Sequence, residues 1–335
     1  MATNTETIKF FKPTLRRQDM QGVLETMADE AIGPGERKAL FEDNVCSLSG
    51  FNKAYALRTM SSALETALFE MNLPEKARIL VSPLSPSVYE RVITSLGYEI
   101  GFADTDKQSG IMNYTSGVSE CDAIILYIPG SSYPDERFKE HRHKIIVDIS
   151  KVTGMKGYAE YARYGVCSFE ANDVISCGGG AVFLSEADIE SELYQSEAMS
   201  DLNAALGCVQ YKYFNEFSNK RREIYQNYQN AVLRSSGKNI IFGAPDSDLK
   251  SEEFNAFSFS LTVAGRIEDV KKLALKSKIE IINTFEDSLA FKMNLKDDSL
   301  TNSIYTALRT VSFPIYYFLK SSETERVAKM LSHLM

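Results

Sequence analysis

The chain has 335 residues, 44% of them hydrophobic and 24% charged, and a formal net charge of -8 at pH 7. This length buries a large core and leaves room for a second, smaller domain. The acidic balance excludes a general nucleic-acid binder, which carries a basic excess, and no apolar run is long enough to span a bilayer.

The chain opens without a basic-plus-apolar leader, so a cytoplasmic protein is expected. Residues 8–17 form an extended entry broken by Pro13, and Asp19 is placed to cap a helix over 20–28. Gly33-Pro34-Gly35 is a loop before a helix carrying Leu40 and Phe41. A short strand over 54–57 runs into the turn Thr59-Met60-Ser61 and an apolar helix over 61–71. A helix N-terminus offers free N–H groups that suit a phosphate, and Thr59 or Ser61 serves equally well as a plain cap.

Apolar strands are expected over 77–81, 98–103, 123–128 and 144–149. The Pro-rich stretch 82–88, containing Ser87, follows the first of them. Strands this apolar, separated by helices, predict a mainly parallel sheet buried on both faces. Ligands in such sheets bind beyond the carboxyl ends of the strands, where Asp148, Ser168 and the Thr59–Ser61 turn all fall. A strand over 166–169 leads through Asn172 and Asp173 to Gly178-Gly179-Gly180 and a further strand over 181–184. Three glycines mark either a hairpin turn or a close backbone approach to a ligand or another chain.

The acidic stretch 186–198 is expected to be helical, as are 200–210 and 214–233. A smaller α+β region is expected from about Ser236, with strands over 256–262, 280–284 and 289–293 and helices over 267–277, 299–311 and 322–334. These readings divide the chain into residues 1–235 and 236–335. The five cysteines, odd in number and without a Cys-x-x-Cys pair, read as reduced buried thiols. His141, His143 and His333 lack companions at metal-ligand spacing.

The order and spacing of these segments resemble the sugar aminotransferases of the DegT/DnrJ/EryC1/StrS group, which are fold-type I pyridoxal-phosphate enzymes. The matching segments include the Gly-Pro loop at 33–35, Ser61-Ser62-Ala63-Leu64, Asp148, the Ser168-Phe169 strand end, Met199 and Phe313-Pro314-Ile315-Tyr316. The resemblance implies an α/β, fold-type I aminotransferase-like fold, PLP or PMP as cofactor, and a dimer whose Gly-Pro loops help build each site. It implies that Asp148 pairs with the pyridine nitrogen and that the Thr59–Met60–Ser61 turn holds the phosphate, although Met60 stands at the usual glycine. Ser87 stands where an aromatic usually stacks on the ring. Five residues after Ser168, where the family's Schiff-base lysine is expected, this chain has Asp173.

Aspartate forms no imine. The leading expectation is therefore a homologue that has lost transaminase chemistry, binding a nucleotide sugar or forming the inactive half of a dimer with an active relative. A PLP- or PMP-dependent aminotransferase or dehydratase acting on a nucleotide-linked keto-sugar is the alternative, and a ligand-free structural partner is the third. Lys151 takes the place of a Gln or His beside the cofactor. It either pairs with Asp173 across the vacated pocket, points to solvent, or supplies a replacement amine.

Overall fold

The computed structural model describes residues 6–30, 32–190, 192–235, 238–244 and 254–334. In chain order the helices are α1 (Arg17–Ala28), α2 (Glu36–Ser49), α3 (Met60–Glu70), α4 (Val88–Ser95), α5 (Gly117–Glu120), α6 (Glu192–Ser196), α7 (Asp201–Lys212), α8 (Phe214–Leu233), α9 (Ile267–Lys276), α10 (Leu289–Lys292), α11 (Thr301–Arg309) and α12 (Ser321–Leu331). The strands are β1 (Lys53–Leu57), β2 (Arg78–Val81), β3 (Glu99–Phe102), β4 (Ala123–Tyr127), β5 (Ile145–Asp148), β6 (Tyr164–Ser168), β7 (Ala181–Ser185), β8 (Ile240–Phe242), β9 (Phe259–Thr262), β10 (Ile282–Asn283) and β11 (Thr310–Phe313).

A seven-stranded sheet runs in the order β1-β7-β6-β5-β4-β2-β3. Its pairs from β3 to β6 are parallel, whereas β7 lies antiparallel to both β6 and β1. Every strand except β7 therefore points the same way, and β1, β2, β5 and β6 end on one edge.

The reason for the apolar runs is visible in the packing. Ile124 and Leu126 of β4 enter one core, with Val147 of β5 and Val182 of β7. Ala123, Ile125, Ile146 and Phe183 enter the core on the other face. Successive side chains of a strand alternate between faces, so a sheet covered twice needs apolar residues at every position.

A second sheet, β10-β11-β9-β8, is antiparallel throughout and carries its own core with α8, α9 and α12. Ile8, near the start of the chain, bridges to Ile279 in this region and is buried there. None of the helices among the described residues is long and apolar enough to cross a membrane.

The structure corrects several boundaries. Residues 289–293, expected as a strand, begin with helix α10. A run of four apolar-rich residues has no resolvable period, and here it is wound into one turn. The expected helix over 186–198 shrinks to α6. The helix expected over 299–311 ends at Arg309, and the chain passes directly into β11. The 256–262 and 280–284 strands are shortened to β9 and β10. Asp19 lies inside α1, accepting from the Arg16 N–H at 2.6 Å, so it is an N3 partner rather than the cap. The expected start of the small region at Ser236 lies outside the described residues.

The three glycines between β6 and β7 all have positive φ, 73° to 137°. A Cβ on Gly180 would stand 2.4 Å from Met199 Cε and 3.0 Å from the Leu57 carbonyl oxygen. The close approach is thus to other parts of the same chain, which only glycine permits.

Candidate functional site

The carboxyl edge of the large sheet gathers most of the residues singled out from sequence. Asp148 ends β5 and is buried. Its Oδ1 accepts from the Ser150 N–H at 2.9 Å and from Ser150 Oγ at 2.5 Å. Its Oδ2 accepts from the Tyr89 hydroxyl at 2.5 Å. Tyr89 lies in the first turn of α4 and has no exposed surface. Burial raises the Asp148 pKa from its ordinary value, and the hydrogen bonds from Ser150 and Tyr89 oppose that rise.

The network continues to the next strand. Ser150 Oγ accepts from the Ser168 N–H at 2.9 Å, and Ser168 Oγ donates to Asp173 Oδ2 at 2.7 Å. The same Oδ2 accepts from the Glu170 N–H at 2.7 Å. Asp173 Oδ1 is buried and takes no hydrogen bond, but Lys151 Nζ stands 3.5 Å away. Burial raises the Asp173 pKa, with the Lys151 charge pulling the other way. The Lys151 side chain is 28% exposed against 4% for Asp173, so the pair joins a buried carboxylate to a partly exposed ammonium.

Lys151 Nζ also lies 4.2 Å from the centroid of the Phe257 ring, a cation–π arrangement. Phe257 belongs to the segment entering the small sheet. That segment is held by buried Arg221 of α8, which donates to the carbonyls of Ala256 and Phe257. Asn255 Nδ2 donates to the Thr153 carbonyl at 2.7 Å. Tyr127, at the end of β4, feels both buried carboxylates, and burial with their charges pushes its hydroxyl pKa up.

The turn after β1 is arranged differently from a bare phosphate cradle. Thr59 caps α3, its Oγ1 accepting from the Ser62 N–H at 3.1 Å. Ser62 Oγ lies within 3.3 Å of the Glu197 carboxylate, which places an acidic side chain beside the helix N-terminus. Met60 is partly buried against the core shared with Leu64 and Tyr89. Ser61 Oγ accepts from Arg91 of α4 at 2.5 Å. Ser87, immediately before α4, donates to Asp287 Oδ1 at 2.8 Å, and its N–H donates to the Asp287 carbonyl.

One hydrogen-bonded chain thus links Tyr89, Asp148, Ser150, Ser168 and Asp173, and Lys151 and Phe257 close its outer end. Helix α4 joins it to Ser61 through Arg91 and to the 287 loop through Ser87. Thr59 and Met60 stand at the same edge, Met60 packed against the core that holds Tyr89, and no hydrogen bond of Thr59 reaches this chain among the described residues. Sequence reading missed Tyr89, Ser150, Arg221 and Phe257. Ser150 carried a signal, since a serine two residues after a strand-end aspartate is a turn pattern. A buried tyrosine in a helix's first turn carries none. Among the described residues no cluster of His, Cys, Asp and Glu is arranged to hold a metal ion.

Comparisons place this geometry among known proteins. The chain is 24% identical over 207 residues to the UDP-4-amino-4,6-dideoxy-N-acetyl-beta-L-altrosamine transaminase of Helicobacter pylori, covering 57% of this chain and 55% of that protein. The match therefore spans little more than half of that relative's length. Its fold matches Spr1654 of Streptococcus pneumoniae, described as a sugar aminotransferase and solved in PMP- and PLP-forms, with a TM-score of 0.83 at 16% identity for each. Those alignments cover 97% of this chain and 97% and 98% of the two Spr1654 chains. The sugar aminotransferase CalS13 of Micromonospora echinospora matches at a TM-score of 0.78 and 16% identity, over 96% of this chain and 98% of that one. The sequence model of the DegT/DnrJ/EryC1/StrS aminotransferase family matches residues 13–116 and 190–332. Those two stretches flank the segment carrying Asp148, Lys151, Ser168 and Asp173. The fold is that of fold-type I aminotransferases, and the chain belongs to the DegT/DnrJ/EryC1/StrS aminotransferase family.

Proposed function

We propose that this chain is a nucleotide-sugar aminotransferase homologue that has lost transaminase chemistry. In this reading it binds a nucleotide sugar, or completes a dimer with an active relative, in a cytoplasmic surface-polysaccharide or deoxysugar pathway. The observation that carries the reading is Asp173. It follows Ser168 at the interval where the family's amine is expected, and its carboxylate is held by Ser168 and the Glu170 N–H and faced by Lys151. A carboxylate cannot condense with an aldehyde to an imine.

The surrounding side chains do not fit a pyridoxal-type cofactor. Asp148 already accepts from Tyr89 on one oxygen and twice from Ser150 on the other, so a ring N–H would have to share an occupied carboxylate. Glu197 beside the α3 N-terminus repels a phosphate dianion. Ser87 offers no ring face and is tied to Asp287.

A dimer is supported by exposed Met27, Ile32 and Leu40 beside an open groove of about 850 Å³ next to Gly33-Pro34-Gly35. The second reading is an active PLP- or PMP-dependent enzyme on a nucleotide-linked keto-sugar. Lys151 favours it, as an amine 3.5 Å from a buried carboxylate.

An amine-transfer assay separates the two. The purified chain is given pyridoxal phosphate, glutamate and a panel of nucleotide-linked keto-sugars, and products are followed by mass spectrometry. The proposal expects no amino sugar, with saturable binding of a nucleotide sugar in a parallel calorimetric titration. Catalytic turnover abolished by Lys151→Met would establish the second reading instead.

A further inference from the structure

Away from the large sheet's edge, α9 and α12 frame a groove of about 390 Å³. It is lined by Lys276, Lys278, Arg326, Lys329 and His333, with apolar Met330 among them, and no acidic side chain lines it among the described residues. The concentration of positive charge stands out in a chain whose net charge is -8.

Basic residues collect at helix C-termini for a purely local reason, since each such end carries roughly half a negative charge. Lys276 closes α9, and Lys329 and His333 lie at the end of α12. Magnitude decides between the two explanations. Two helix ends supply about one negative charge together, whereas the groove holds Lys276, Arg326 and Lys329 besides Lys278, which has an interaction of its own. Arg326 lies mid-helix in α12, where the dipole gives no reason for it.

The pairing pattern points the same way. Elsewhere on α9, Lys272 stands 3.8 Å from Asp269. Lys276 and Lys329 have no carboxylate partner among the described residues, and Arg326 donates only to the Glu6 carbonyl at 2.9 Å. The Arg326 Nε is buried without a hydrogen-bond partner. A buried guanidinium donor left unmade is costly, so the atom is disposed to take an acceptor. Glu280, two residues beyond Lys278, is already engaged by Lys9 at 2.7 Å. Lys278 itself follows the helix with φ +55°, a left-handed position that favours glycine, yet the chain puts a cation there.

We propose that the α9–α12 groove is a binding site for a diphosphate group. Several converging cations around one buried guanidinium N–H suit a compact polyanion with oxygens on two phosphorus atoms. The volume lies at the lower end of ligand-pocket sizes, about 300–1,000 Å³. It suits a diphosphate rather than a large polymer. Inorganic pyrophosphate and the diphosphate of a nucleotide share this chemistry.

The test is calorimetric titration of the full chain at low ionic strength with inorganic pyrophosphate, ADP and adenosine. One-to-one saturable binding of pyrophosphate is expected. Binding of ADP without adenosine would extend the site to nucleoside diphosphates, and exclusion of ADP would confine it to the free anion. The Lys276→Gln/Lys329→Gln double variant is expected to weaken binding about tenfold. Arg326→Gln, checked for folding by circular dichroism, is expected to weaken it several-fold. The control Lys271→Gln/Lys272→Gln removes two charges from α9 outside the groove and is expected to leave affinity unchanged. Absence of saturable binding overturns the proposal, as does an equal loss in the control, which would mean attraction to any lysine-rich face.

Discussion

At the carboxyl edge of the large sheet, Asp148 and Asp173 are buried and bonded almost wholly to groups of their own chain. In the α9–α12 groove, Lys276 and Lys329 are exposed and have no carboxylate partner among the described residues. The contrast follows from solvation. A charge removed from water must be paired or hydrogen-bonded, because an unpaired one costs several kcal/mol. An exposed ammonium is already solvated by water and exchanges that water for an anion at little cost. Within the Asp148–Asp173 network one buried acceptor, Asp173 Oδ1, is left without a hydrogen bond and faces Lys151, whereas the open groove keeps the Lys276 and Lys329 ammoniums available to an anion.

The sharpest way to break this comparison is Lys151→Met. It leaves the Asp173 carboxylate buried with the Ser168 and Glu170 donors alone. Breaking a buried pair costs about 3–5 kcal/mol, and the partial exposure of Lys151 brings the expected loss to about 2–3 kcal/mol. The effect depends on pH. Burial raises the folded pKa of Asp173 above its unfolded value. Its stabilising contribution is therefore complete below the unfolded pKa and is lost as pH rises through the folded one. Lys151 lowers that folded pKa, so its removal extends the losing window upward. Urea unfolding is expected to show a larger deficit for the variant at about pH 8 than at about pH 5. Equal deficits would mean that the two side chains are not electrostatically coupled.

Tyr89→Phe comes next. It removes a donor to a buried carboxylate without changing the ring, and hydrogen bonds to charged groups contribute about 1.5–3 kcal/mol. A loss near 2 kcal/mol in the same unfolding experiment is expected. An unchanged midpoint would show that the hydroxyl does not satisfy Asp148. Thr59→Ala removes the α3 cap and is expected to cost about 1 kcal/mol. A much larger loss would indicate that the Thr59–Ser62–Glu197 cluster acts as a unit. Lys276→Gln in the groove should change stability by less than about 0.5 kcal/mol, since it is exposed and lacks a charged partner. A greater loss would place that lysine among the structural charges.

What the sequence revealed follows the strength of each local signal. The runs at 123–128 and 144–149 were legible as doubly buried strands because 123–128 is apolar throughout and 145–147 is Ile-Ile-Val, and β4 and β5 fall within them. Asp148 and Ser168 were legible as strand-end residues for the same reason. Strand β11 was not, because the helix before it leads straight on with no turn residue between Arg309 and Thr310. The 289–293 stretch misled because four or five residues cannot distinguish a period of 2 from one of 3.6. Tyr89 was invisible as a site residue, since its partner lies 59 positions away. The Phe257 contact on Lys151 likewise depends on how the small sheet's entry segment crosses the site, and Arg221 fixes that crossing from a third element.

The central claim is that the Asp148–Asp173 network, with a carboxylate where the family's lysine is expected, forms no imine with a pyridoxal aldehyde. The most direct measurement is the absorbance of the purified chain after exposure to excess pyridoxal phosphate and removal of the free compound, followed by borohydride reduction and peptide mapping. The account predicts no retained near-ultraviolet or visible band and no reduced adduct on any peptide. A retained band fixed by borohydride onto Lys151 would contradict it and would make that lysine the amine of a working site.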